Sequence, residues 1–212
     1  MTDSPRQNRV TPLGELVAAP ARGLVYGNRG CLHDPSGRIV RAANGNRWLA
    51  CRLEFRGRRR ELLQPGRFTE LFFLDEATAL AAGHRPCALC RREDYNALVL
   101  LWRRLGRRER GADAIDLRLQ RERLDSQSGR QRHHRAAFAG LPDGTTVLHG
   151  GAPRVVAGAH LLRWGLDGYR DSVPRPRDAT AVVVTPPSLV ALLGSGWHSQ
   201  LPLLHPSAAA AT

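Results

Sequence analysis

The chain has 212 residues, 42% of them hydrophobic, which is enough for a buried core and excludes a disordered chain. Its 32 basic residues, all arginine, outnumber 19 acidic ones and give a formal charge of +13, which favours nucleic acid, ahead of an anionic membrane surface, as partner. No run approaches the ~20 apolar residues that cross a bilayer, and Met1-Thr-Asp-Ser-Pro has no signal-peptide pattern.

Residues 1–22, polar and then Pro- and Ala-rich, read as a flexible N-terminal arm. Leu24-Val25-Tyr26 is β-prone, and the turns Gly27-Asn28-Arg29-Gly30 and Asp34-Pro35-Ser36-Gly37 precede a second short run, Ile39-Val40. Asn44-Gly45 is a hairpin signal. After it, residues 48–55 alternate so that Cys51, Leu53 and Phe55 share one face. Phe72-Phe73-Leu74 ends a strand, and Asp75 is placed to cap a helix with its carboxylate. Gly83 closes that helix, because glycine takes the left-handed conformation cheaply. Arg85, standing before Pro86, is pushed out of helical geometry. Pro86 then opens a second helix where a missing N–H costs least. Tyr95, Leu98, Val99, Trp102 and Leu105 give this helix an apolar face, and Gly106 ends it. Residues 107–135 hold nine arginines against five acidic residues and read as a helical connector or exposed basic arm. Strands follow at 145–149, 154–157, 160–164 and 179–185, then a short helix at 189–193 and a Pro-punctuated end.

Cys87 and Cys90 open the second helix three positions apart, a spacing that lets two thiolates converge on one tetrahedral ion. A cytoplasmic, thiol-reducing setting is expected, where such a pair points to metal or redox chemistry rather than a disulfide. Cys31 and Cys51 are the remaining thiol ligands, on neighbouring β elements, with His33 and His84 as reserves. The expected ligand set is Cys31, Cys51, Cys87 and Cys90, and the expected ion is zinc. Cys51 on an apolar strand face also reads as a small buried hydrophobe, whereas Cys31, flanked by Gly30 and next to a turn, reads as the more exposed thiol and the better ligand of the two.

The stretch Ala77–Arg91 resembles the second half of the Ada-type zinc domain, the phosphotriester-repair domain of a bacterial methyltransferase. Ala82-Gly83-His84-Arg85-Pro86-Cys87-Ala88-Leu89-Cys90 matches its motif except that His84 stands where the family has an aromatic residue. The resemblance implies zinc and a link to DNA repair. In that family the methyl acceptor belongs to a Cys-x-x-x-Cys pair, whereas 19 residues separate Cys31 from Cys51 here. Efficient phosphotriester repair is therefore not expected.

The fold class expected is α+β: a flexible arm over 1–22, an Ada-like zinc domain over 23–106, a basic helical connector over 107–138, a small β-rich domain over 139–207 and a tail over 208–212. Arg56, Arg58, Arg59 and Arg60 at a hairpin edge, with Arg91 and Arg92, form the expected nucleic-acid footprint, DNA before RNA. Such contacts are salt-sensitive and largely sequence-blind. Tyr26, Trp48 and Phe68 could stack on bases or pack in the core. Glu70, Asp75 and Glu76 could move protons beside a metal or serve as caps and solvated charges. The function expected first is a zinc-containing nucleic-acid-binding protein linked to DNA repair; the alternatives are a zinc-dependent enzyme on nucleic acid, by alkyl transfer to a cysteine or phosphodiester hydrolysis, and an interaction module with structural zinc.

Overall fold

The protein is described by a computed structural model covering residues 4–57 and 61–211. In chain order its elements are β1 (Gln7–Val10), β2 (Leu16–Ala18), β3 (Val25–Asn28), β4 (Leu49–Cys51), β5 (Leu71–Phe73), α1 (Glu76–Ala81), β6 (Arg85–Pro86), α2 (Arg92–Arg104), α3 (Gly111–Arg123), β7 (His134–Ala137), β8 (Thr146–His149), β9 (Ala152–Ala157), β10 (His160–Arg163), β11 (Ser172–Pro174), β12 (Thr180–Val183), α4 (Pro187–Gly194) and α5 (Ala208–Ala211). The fold is α+β. Among the described residues the strands form two six-stranded sheets, ordered β2-β1-β5-β3-β4-β6 and β11-β10-β9-β8-β12-β7. The second sheet is antiparallel throughout, built around the meander β8 to β11. The first contains two parallel pairings, β1 with β5 and β4 with β6.

The helix caps follow the local sequence. The Asp75 side chain accepts from the Thr78 N–H at 2.9 Å, and Gly83 takes φ +84° just past α1. Asp75 also reaches outward: its carboxylate accepts from Tyr169 Oη at 2.7 Å and from the His205 N–H at 2.9 Å. Trp164 Nε1 donates to Thr78 Oγ1 at 3.0 Å. α1 is thereby tied to the second sheet and to the C-terminal segment, and Leu74 and Ala77 share a core with Val155, Leu162 and Tyr169.

Two expected segments take a different form. The stretch read as an arm contributes β1 and β2, because Val10 is buried against Val25, Leu71 and Phe73. The pairing that orders it, Arg9 with Phe72, comes from far along the chain. The Arg-rich connector includes α3, whose Ile115 and Leu119 are buried beside Leu98, Trp102, Leu189 and Trp197. Arg85 grips Asp116 of α3 with two bonds of 2.8 and 2.6 Å, and both side chains are buried. Arg123 is buried too, donating to the carbonyls of Gly83 and Asn46. One helical face of this basic stretch is thus core, while Arg108, Arg110 and Arg121 remain exposed. Residues Ala208–Ala211 of the expected tail are helical, with Ala208 buried.

Candidate metal centre

Strand register assembles the site. β4 and β6 pair in parallel with Leu49 opposite Arg85 and Ala50 opposite Pro86, so the next residues on each, Cys51 and Cys87, lie side by side. The Cys87 N–H donates to the Ala50 carbonyl at 2.9 Å, extending the ladder by one bond. Cys90 follows in the turn that opens α2, where the Arg91 N–H donates to the Cys87 carbonyl at 3.0 Å. The sulfurs of Cys51, Cys87 and Cys90 all lie within 4.8 Å of one another.

The start of α2 is anchored by Arg91, which is buried. Its guanidinium meets Glu76 at 2.5 Å, Asp94 at 2.7 Å and Ser199 at 2.6 Å. Trp197 Nε1 donates to the other Glu76 oxygen at 3.3 Å. Arg91 is therefore a neutralised internal strut that holds the Cys90 turn, and its expected place in a phosphate-binding surface is corrected. Glu76 belongs to the same internal network, and Asp75 is the buried cap described above.

The electrostatics favour one negative charge, on Cys87, with Cys51 and Cys90 both pushed up. Thiol hydrogen bonds from Cys51 and then Cys90, helped by backbone N–H groups, hold Cys87 well below the usual thiol range. The same sharing of one negative charge, with burial added, pushes Cys51 up. The Leu89 N–H points at Cys87 Sγ over 3.4 Å. A tetrahedral zinc with ~2.3 Å bonds to sulfur brings its thiolates ~3.8 Å apart. Three sulfurs within 4.8 Å, together with an amide N–H directed at one of them, fit that donor set.

Cys31 is not part of this group; its thiol donates over 3.6 Å to the His33 carbonyl. The expectation that favoured Cys31 over Cys51 is corrected: the β4–β6 pairing brings Cys51 to the knuckle. The reserve ligands are also placed elsewhere. His33 is buried between Thr69 Oγ1 at 2.6 Å and the Gln64 carbonyl at 3.2 Å. His84 packs between Trp48 and Phe73. Trp48 is itself buried under two guanidiniums, Arg29 and Arg123, so it is a core residue and not a stacking platform.

The three cysteines are among the residues that line a cleft of about 300 Å³. Tyr26, Phe55, Phe68 and Phe72 also line it, with Leu53 and Leu89 among its apolar residues. Tyr26 and Phe68 stand out in the sequence, but nothing there signals the cleft, which needs loop residues 52–57 and 61–70 brought beside the knuckle. Two non-glycine residues of that loop, Arg56 at φ +55° and Leu63 at φ +59°, adopt left-handed backbone, a strained arrangement of the kind found at functional sites. Glu70 is buried in the lining, and its Oε2 accepts from the Leu63 N–H at 2.9 Å, so it fastens the loop. Of the expected phosphate-binding residues, Arg56 and Arg92 are exposed, whereas Arg58, Arg59 and Arg60 lie outside the described residues.

Among the described residues no helix is long and apolar enough to cross a membrane. The chain matches no protein-family model and has no significant match among curated proteins or solved structures.

Proposed function

We propose that this is a zinc-dependent enzyme acting on nucleic acid, with zinc held by Cys51, Cys87 and Cys90. The observation that carries the reading is that these three sulfurs meet in the lining of a cleft. Structural zinc sites are closed by four protein ligands, while catalytic ones keep three and leave a place for water or substrate. Among the described residues the site offers three. Zinc, when bound, supplies a Lewis acid and keeps thiolates ionised at neutral pH. The chain's own part is to fix the sulfurs through the β4–β6 ladder and the Arg91 strut. Glu70, buried in the cleft lining, accepts from the Leu63 N–H and ties that segment to the site. The +13 charge and the exposed Arg56 and Arg92 support nucleic acid as the partner, and the Ada-type resemblance supports zinc.

The test is cobalt substitution of the purified protein. A cobalt–thiolate charge-transfer band of one equivalent is expected, lost in Cys51→Ser and retained in Cys31→Ser. Added imidazole or a small thiol should shift the ligand-field bands, because the fourth place exchanges. Bands indifferent to every added ligand would show a closed, structural site and overturn the enzyme reading.

A further inference from the structure

The lining of the cleft describes its ligand. Tyr26, Phe55, Phe68 and Phe72 are four of the chain's eight Phe and Tyr residues. At the same cleft Leu53 is 50% and Leu89 is 52% exposed, so the chain leaves large apolar side chains in water there. A volume of about 300 Å³ lies at the small end of ligand sites and suits one ring system rather than an extended molecule. Cations adjoin the apolar walls. The Arg56 guanidinium stacks 5.0 Å from the Phe55 ring centre. Arg52 lines the cleft, and its buried Nε–H has no acceptor among the described residues.

An aromatic slot with guanidiniums beside it suits a flat heterocycle that carries an anion. The rings take the π-face of the heterocycle, and the arginines take phosphate. A base stacked in a duplex cannot enter such a slot; it must be flipped out or belong to a single strand. We propose that the cleft binds one unpaired nucleobase, with its phosphate on Arg52 and Arg56 and its edge toward the three cysteines. The proposal rests on the metal-centre reading above and names the ligand class of that same site.

The experiment uses the zinc-loaded full chain and labelled strands of abasic spacers, measured by fluorescence anisotropy. One set carries a single nucleotide with each of the four bases in turn, and the control strand carries none. At least one base is expected to tighten binding by about 5- to 150-fold, the usual worth of one stacked base. Leu89→Glu, at an exposed position that folding tolerates, should erase this difference, as should Phe68→Ala. Competition by the free nucleoside monophosphate would assign a mononucleotide as the ligand; a base effect without such competition would assign a strand. Equal binding of all strands, or a base effect that survives Leu89→Glu, overturns the proposal. The cobalt spectrum recorded on the same samples separates the two readings, since a lost base effect with an intact, exchangeable spectrum refutes only the ligand.

Discussion

His84 offers the sharpest test of how the core beside the cysteine knuckle is held. Its ring is fully buried, 5.1 Å from Trp48 and 4.6 Å from Phe73 between ring centres. Neither ring nitrogen has a hydrogen-bond partner among the described residues; the nearby carbonyls of Ala79 and Ala82 lie outside bonding geometry. Burial, and then the cations of Arg29 and Arg123, push its pKa well below 6.5. The folded protein therefore holds a neutral imidazole where the unfolded chain protonates. Stability from this residue is fully present above pH 6.5 and is lost as pH falls below it. With an unfolded value near 6.5, the loss can be at most about 2 kcal/mol at pH 5. His84→Phe removes that proton and two unsatisfied atoms, each costing ~1–3 kcal/mol, against an overpacking cost of ~1–3 kcal/mol for the larger ring. Its stability near pH 8 should thus fall between roughly 1 kcal/mol below and 5 kcal/mol above the parent, with a further relative gain of up to about 2 kcal/mol by pH 5. Urea unfolding of both proteins at several pH values reads this directly, and protons linked to metal binding cancel in the difference. Parallel pH profiles would refute the reasoning.

Three further outcomes are expected. Chelation should lower the unfolding midpoint of the parent and of Cys31→Ser but not of Cys87→Ser, because metal affinity here is folding free energy; thermal melts with and without chelator check it. Arg91→Ala should cost about 3–5 kcal/mol by leaving Glu76 and Asp94 as buried unpaired carboxylates, whereas Arg92→Ala, on the exposed side of the same turn, should leave urea stability within about 0.5 kcal/mol. Replacing Arg56 and Arg92 together with serine should weaken binding to all strands alike and flatten the salt dependence of the affinity by up to about two phosphate contacts, seen in anisotropy titrations across salt concentrations.

The sequence by itself determined what depends on neighbours within a few residues. Asp75 caps α1, Gly83 turns the chain at positive φ and Gly106 follows α2. Leu98 and Trp102, four apart, put one side of α2 into the core. Cys87 and Cys90 converge because the turn between them is local. Composition added the charge excess, but it could not say which arginines face solvent. Arg91 and Arg123 read as cations of a basic surface, yet besides Asp94 and Gln120 three residues off, their partners lie 15 and 108 residues away for Arg91 and 40 and 77 for Arg123. The same holds for the arm that became β1: Val10 has no local reason to be buried until β5 lies beside it. Only tertiary structure chose Cys51 over Cys31, and the reason is geometric. A parallel pairing such as β4 with β6 has no short turn to announce it, and one residue of register decides which side chain stands next to Cys87. The cleft beside that thiol depends on loop residues 52–57 and 61–70, with the strained Arg56 and Leu63, lying beside the knuckle.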